Sequence, residues 1–275
     1  MLAPHRPPDR QRVALMGLGA IGQHLVTLLQ ARPDEFELVA VLVRDTARAA
    51  SEWPSLAHLL VADTHALLST RPDVVAECAG HQAVDAHAEA ILCGGTDLVL
   101  VSVGALADGE RLARLQAAAR AGDAQLRPVS GAIGGLDWVG AAHSAGLDEV
   151  TYRGHKPPRA WLGTAAADTH DLAQLRSATC VFRGSAGEAA LRFPRNANVA
   201  ATVALATLGL EHTQVELWAD PEVADNVHEV EASGAAGRLT LRLANRPDPL
   251  NPRTSHITAH SVLHALVRRG AAVSL

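Results

Sequence analysis

The segment Gly17-Leu18-Gly19-Ala20-Ile21-Gly22 restricts the fold more than any other part of the 275-residue chain. It follows a short aliphatic run, Arg12 to Met16, and opens a stretch, Ala20 to Ala31, whose apolar residues recur every three or four positions. A buried strand, a tight glycine turn and an amphipathic helix meet these requirements together. In that setting Gly17 permits the turn, Gly19 lets the backbone approach a pyrophosphate, and Gly22 lets the helix pack close to the strand. The free amides of the first helical turn, at Ala20 and Ile21, then point at the phosphates. The plainer reading is a glycine-rich turn in an unrelated α/β domain, but the flanking strand and helix favour a dinucleotide site.

The cycle of apolar run, turn and helical segment then repeats, which predicts β-α-β units and a parallel sheet. Strands are expected at Arg12 to Met16, Glu37 to Val43, Val74 to Glu77, Leu98 to Val103 and Gln125 to Val129. Helices are expected at Ala20 to Ala31, His81 to Cys93 and Asp108 to Ala121. About twenty residues after the third glycine the second strand ends at Arg44-Asp45, where an acid would bind the ribose 2′-hydroxyl of NAD and an arginine the 2′-phosphate of NADP. The pair leaves NAD or NADP open, and an exposed Arg-Asp pair at a loop start is the duller alternative. Two further turns close predicted strands: Cys78-Ala79-Gly80-His81, placed near the nicotinamide ribose, and Ser130-Gly131-Ala132-Ile133-Gly134-Gly135, placed at the hinge between lobes. Both are also compatible with ordinary strand-to-helix turns.

Beyond about Gly140 the pattern changes. Glu149 to His155 reads as a strand, Ala186 to Phe193 and Asn198 to Leu208 as helices, and His212 to Ala219, Asn226 to Ala232 and Arg238 to Asn245 as strands, with a hairpin turn at Ser233 to Gly237. A last helix, Thr254 to Arg269, has Thr254 or Asn251 as its N-cap and Gly270 as its stop. The expected fold is α/β, with an N-terminal Rossmann-type parallel sheet, a second α+β catalytic and dimerisation domain, and a C-terminal helix returning to the first. In residue terms this is a dinucleotide-binding domain at 1–135 completed by 251–275, and a substrate domain at 136–250. Met1 to Arg10, with three prolines and no apolar run, is expected to be a tail.

Composition narrows the partners. A formal charge of -5 gives no basic surplus for tracking nucleic-acid phosphates, so no nucleic-acid partner is expected. Apolar runs fall far short of the roughly 20 residues that span a bilayer, so no membrane role is expected. Cys78, Cys93 and Cys180 are too few and scattered for a disulfide framework, which fits a cytoplasmic protein.

Five segments together resemble the L-aspartate dehydrogenase family. They are Gly17 to Gly22, Glu77 to His81, Ser130 to Gly135, Phe193-Pro194-Arg195-Asn196-Ala197-Asn198-Val199-Ala200-Ala201-Thr202 and Asn251-Pro252-Arg253-Thr254-Ser255. The likeness runs from Val13 to the last helix, and the Asn-x-Asn-Val-Ala-Ala stretch is its most specific part. It implies a homodimer that oxidises L-aspartate with NAD or NADP to iminosuccinate, which hydrolyses to oxaloacetate and ammonia. It also implies cofactor contacts at Ala132 and Asn198 and an active-site histidine at His228. Ala197, where many relatives have isoleucine, and the proline-rich tail depart from the pattern without touching that chemistry.

Loss of hydride from an amino acid requires an unprotonated amine, so the reading assigns His228 as a base near neutral pH. Lys156, then Arg159, are the expected partners of the substrate carboxylates. The nicotinamide is expected in the crevice between the lobes, within reach of His228. No metal is expected: His256, His260 and His264 recur every four residues on the last helix but lack the acid of a His-Glu-x-x-His frame. Ser185-x-Gly187 lacks the context of a nucleophile elbow. A homoserine dehydrogenase-like enzyme acting on a related acid or semialdehyde, and a non-catalytic dinucleotide sensor, are the alternatives.

Overall fold

A computed structural model describes residues 10–271 and 273, apart from Arg195. Apart from Arg10, the segment expected to be a tail lies outside these residues. In chain order the elements are β1 (Gln11–Met16), α1 (Ala20–Gln30), β2 (Phe36–Leu42), α2 (Thr46–Glu52), β3 (Leu60–Val61), α3 (Thr64–Ser69), β4 (Val74–Glu77), α4 (His81–Cys93), β5 (Asp97–Leu100), α5 (Gly109–Ala121) and β6 (Leu126–Pro128). There follow α6 (Leu136–Ala145), β7 (Leu147–Lys156), α7 (Ala165–Thr169), β8 (Thr179–Ser185), α8 (Ala186–Arg192), α9 (Asn198–Ala206), β9 (Gln214–Ala219), β10 (Asn226–Gly234), β11 (Gly237–Asn245) and α10 (Ile257–Gly270). Short 3-10 turns at Pro54–Leu59, Val103–Ala107 and Pro158–Trp161 join them.

Among the described residues, the first unit comprises those up to Leu100, Leu115–Arg127 and those from Val262 onward. Its sheet has the order β3-β2-β1-β4-β5-β6, and β1 pairs in parallel with both β2 and β4. Val13 to Met16 and Val74 to Glu77 are buried along their whole length, as strands covered on both faces must be. Helix α1 buries Gly22, Leu25, Val26 and Leu29, and α4 buries Val84, Ala88, Ile91 and Leu92. These are the three- and four-residue intervals that marked both helices in the sequence. Helix α10 contributes the buried Val262 and Leu266 and pairs Arg269 with Asp97 at 2.8 Å.

Several short elements escaped the sequence reading. Helices α2 and α3 have only seven and six residues, too short for periodicity, and depend on side-chain caps: Asp45 accepts from the Arg48 amide and Asp63 from the Ala66 amide. Strand β5 ends at Leu100 rather than Val103, because the chain turns into the Val103–Ala107 3-10 segment. Helix α10 starts at Ile257, not Thr254; Asn251 and Thr254 instead bond to each other's side chains in the preceding loop.

The second unit comprises Val101–Arg114 and Pro128–Ser261. Its boundaries differ from the expected 136–250 for local reasons. The Gly104 amide donates to Asn198 Oδ1, Asn245 Nδ2 to the Ala132 carbonyl, and Pro247 bridges to Ser255. The mixed sheet has the order β11-β10-β7-β9-β8; β10 is antiparallel to β7 and β11, while β7 and β9 are parallel. Alternation places Val150, Tyr152, Gly154 and Lys156 of β7, and Asn226, His228, Val230 and Ala232 of β10, on the buried face. Their core includes Phe193, packed edge-on against Trp161 and Phe182 at 5.8 and 5.5 Å. Truncation of Phe193, which is 1% exposed, removes a ring that nothing nearby can replace. The Phe193→Ala variant is expected to lose about 3–5 kcal/mol of stability, read as a lower urea midpoint of the tryptophan fluorescence transition.

Candidate functional site

In the first unit the three glycines of the opening turn differ in what surrounds them. Gly17 has φ +95°, and a Cβ there would lie 2.7 Å from Ala79 Cβ; one on Gly22 would strike the Gly17 carbonyl oxygen. A Cβ on Gly19 would meet nothing within 4 Å. Gly17 and Gly22 are therefore required by the fold, whereas Gly19 leaves a clear approach to the backbone at the start of α1. No side chain caps α1, in contrast to α2 and α3, so its first-turn amides at Ala20 and Ile21 are not covered by a capping group. An uncapped helix start with open space at its N-cap fits a pyrophosphate.

The same contacts bring the second expected turn alongside. The Cys78 amide donates to the Met16 carbonyl, and buried Glu77 Oε1 accepts from the Ala79 and Gly80 amides, each at 2.7 Å. Glu77 thereby fixes the shape of Cys78-Ala79-Gly80 before His81 opens α4. Desolvation, and then the adjacent Glu77 charge, hold the Cys78 thiol well above its ordinary pKa, so it is no nucleophile at neutral pH. Arg44 and Asp45 are exposed at the end of β2. One oxygen of Asp45 is committed to the Arg48 amide, a structural duty that the ribose assignment did not foresee.

The second unit assembles a different group of side chains. Lys156 ends β7, and its ammonium, with the residue only 6% exposed, donates to the Arg253 carbonyl at 3.0 Å. Among the described residues no carboxylate pairs with it. Burial, and then the Arg253 guanidinium, bring Lys156 down to about 8. His228 lies opposite Gly154 across the β10–β7 ladder and is 2% exposed. Its Nδ1 is 2.7 Å from the Tyr152 hydroxyl, and its Nε2 has no partner. Two residues away on the same face, the fully buried Asn226 donates to the Pro252 carbonyl and Ser255 Oγ, while its Oδ1 is also without a partner. Two orphaned polar atoms and an uncompensated ammonium in one buried stretch call for a polar, anionic ligand.

His228 departs from its expected chemistry. Burial, and then the nearby Lys156 charge, push its imidazole down to about 3, so it is neutral throughout the physiological range rather than poised near 7. Arg159, proposed beside Lys156, is exposed on the Pro158–Trp161 turn. The cation adjoining Lys156 is instead Arg253, from the segment Asn251 to Ser255. Ala132 and Asn198 also hold structural bonds, Ala132 through its carbonyl to Asn245 and Asn198 through its Oδ1 to Gly104.

Tyr152 and Asn226 were missed, yet the sequence carried signals for both. Each lies an even number of residues from a chosen one, four before Lys156 and two before His228, and therefore on the same strand face. Composition pointed the same way: Tyr152 is the chain's single tyrosine, and Lys156 its single lysine among 24 basic residues.

Comparison with known proteins assigns the two halves. Residues 137–269 match the family model described as aspartate dehydrogenase, C-terminal, and residues 17–127 the model described as homoserine dehydrogenase, NAD binding domain. The L-aspartate dehydrogenase of Ralstonia pickettii (strain 12J) is 47% identical over 264 residues, covering 96% of this chain and 99% of that one. The crystal structure of aspartate dehydrogenase from Thermotoga maritima superposes with a TM-score of 0.74 at 27% identity, covering 97% of this chain and 100% of that one. A homoserine dehydrogenase from Thiobacillus denitrificans reaches a TM-score of 0.63 at 16% identity, over 95% of this chain and 73% of that one, a likeness of fold alone. The open space at Gly19 yields a direct test. Gly19→Val is expected to leave the melting temperature within a degree or two while weakening dinucleotide binding roughly tenfold or more, read by quenching of tryptophan fluorescence during NAD and NADP titrations.

Proposed function

The chain belongs to the L-aspartate dehydrogenase family, and from that premise we propose that it oxidises L-aspartate to iminosuccinate with NAD or NADP, or runs the reverse reductive amination. The observation that carries the choice of an acidic substrate is the buried Lys156 ammonium, with Arg253 beside it and no carboxylate partner among the described residues. A dicarboxylate brings two negative charges to these two cations, and a substrate of the homoserine type, with a single carboxylate, brings half as many. Oxaloacetate and ammonia follow when water adds to the imine.

A bound nicotinamide would supply the hydride acceptor for the substrate Cα; Gly17, Gly19, Ala20, Ile21, Gly22, Cys78, Ala79, Gly80 and His81 would hold the dinucleotide phosphates and ribose, with Arg44 and Asp45 at the adenosine end, and Ala132 and Asn198 would add cofactor contacts from the second unit. On the substrate side, Lys156 and Arg253 attract the carboxylates. Neutral His228 and Asn226 present their unpartnered atoms to the polar groups of the substrate, and burial of Lys156, His228 and Asn226 excludes bulk water from the imine as it forms. His228 is thus an active-site residue in this reading, with a role set by its neutrality.

The working form is a homodimer in the cytoplasm. The outer face of the second sheet supports the first part, with a ladder of both charges in which Arg153 joins Glu216 and Glu231, Arg183 joins Glu216, and Arg242 joins Glu229. These pairs leave no excess of one sign to repel a two-fold copy. Three free cysteines support a reducing compartment. No helix among the described residues is long and apolar enough to cross a membrane.

Purified protein given L-aspartate and either NAD or NADP is expected to generate the reduced-nicotinamide absorbance. His228→Ala is expected to lower kcat by about a hundredfold or more with dinucleotide binding unchanged. No absorbance with either cofactor overturns the assignment, and an unaffected His228→Ala variant removes that residue from the site. Light scattering is expected to give twice the 28.8 kDa chain mass, and Arg153→Glu to shift it towards the monomer.

A further inference from the structure

The bond between Tyr152 and His228 decides which nitrogen of the imidazole carries the proton. Among the described residues the Tyr152 hydroxyl has one partner, His228 Nδ1 at 2.7 Å, and both groups are buried. If Nδ1 carried the hydrogen, the phenolic hydrogen would have no acceptor in a dry environment. The bond is satisfied at both ends only when Tyr152 donates to Nδ1, which leaves the hydrogen of the neutral ring on Nε2. Gly154 makes this geometry possible. It lies between Tyr152 and Lys156 on the same strand face, and a Cβ there would sit 2.7 Å from the Tyr152 hydroxyl oxygen. The unpartnered Nε2 is therefore a donor, and a donor cannot remove a proton from the substrate ammonium.

We propose that Lys156 Nζ is the proton acceptor of this site, and that Tyr152 is a positioning residue that keeps His228 as a neutral Nε2–H donor to the substrate. The proposal rests on reading the second unit as the aspartate site. One proton passes from the substrate ammonium to the neutral Lys156 amine. The freed nitrogen lone pair then forms the C=N bond as hydride leaves Cα for the nicotinamide, so the two electrons go to the cofactor and the proton stays on lysine. The substrate carboxylates stabilise the ammonium so formed, which favours transfer in this direction once the substrate is bound.

The surroundings fit that role. Arg253 faces Lys156 from the loop before α10, and His228 and Tyr152 belong to the neighbouring strand and to its own. The buried acids of adjoining segments are committed elsewhere: Asp220 to His155 and the Glu222 amide, and Asp248 to the Leu250 and Asn251 amides. Burial and the Arg253 guanidinium, with no carboxylate paired to it among the described residues, bring Lys156 to about 8. The 23 arginines that make up the rest of the basic residues do not release protons near neutral pH, so the single lysine stands at the one buried basic position where proton release is required.

Because the chain has one lysine, reductive dimethylation with carbon-13 formaldehyde gives one side-chain signal besides that of the N-terminus. In the full chain this signal is expected to titrate near pH 8 and to move to higher pH when succinate is added. A midpoint above 9.5 in the free protein overturns the proposal, whether or not aspartate is a substrate. In turnover, wild-type kcat/KM for aspartate oxidation is expected to rise with pH through about 8. Lys156→Ala and Lys156→Arg should both lose about a hundredfold or more, and ethylamine should restore the alanine variant in proportion to its free-base concentration. An arginine variant within a few-fold of wild type overturns the proposal. Nitrogen-15 spectra are expected to show His228 protonated on Nε2, with mixed tautomers in Tyr152→Phe and a fall in kcat without a matching rise in KM; an Nδ1-protonated wild-type ring overturns the role of Tyr152. Failure of the wild type to oxidise aspartate while the lysine titrates near 8 removes the substrate assignment and leaves the acceptor intact.

Discussion

One uncompensated positive charge organises the second unit. Lys156 is buried at the end of β7, held by a backbone carbonyl rather than an acid, and its field reaches both Arg253 and His228. A buried charge with no counterion is costly, and a fold retains one when a ligand is to provide the compensation. The other features of the site follow from it. His228 must be neutral beside it, Tyr152 must then choose a tautomer, and Gly154 must leave room for the phenol. The parallel sheet of the first unit handles the dinucleotide by a different principle, with backbone amides at an uncapped helix start in place of side-chain charge.

How far this arrangement was legible in the sequence depends on the length scale of each signal. Helices α1 and α4 and strands β1 and β4 were found within a residue or two, because a buried parallel strand and an amphipathic helix write their periods over many positions. Helices α2 and α3 were not found, since two short turns held by Asp45 and Asp63 depend on single capping bonds. Asp45 shows the difficulty well. One residue type suits both a ribose hydroxyl and a helix cap, and sequence spacing does not separate them.

The candidate site was legible in part. Lys156 stood out for its charge and His228 through the family resemblance, but burial and the Lys156 charge hold the imidazole near 3 instead of the near-neutral value expected. A histidine's working pKa is set by neighbours distant in the chain, here burial and Lys156, 72 positions away by number. Arg159 lies exposed for a related reason. Three residues from Lys156 in sequence, it stands on a 3-10 turn with its side chain in solvent, while Arg253 arrives from nearly a hundred residues downstream. Strand alternation did contain Tyr152 and Asn226. It becomes informative only when one residue on a face is known to matter, because the pattern then nominates its neighbours two and four positions away.

The lysine also ties stability to function. Its ammonium falls from 10.5 to about 8 on folding, a difference equivalent to about 3 kcal/mol between the two protonation states. The unfolded chain binds this proton more tightly than the folded one, so folded stability rises with pH between about 8 and 10.5, and below 8 the full penalty is present. At neutral pH the free protein therefore holds a local destabilisation of that order in the second unit. A dicarboxylate that pairs with Lys156 relieves it, and the relief adds to the apparent affinity without any further contact. An uncharged residue of the same shape would remove the penalty and with it the discrimination in favour of acidic substrates, while arginine would keep the charge and lose the ability to give the proton up. Only an amine held in a dry, cation-flanked position meets both demands, so the position that carries the penalty is also the chemically active one.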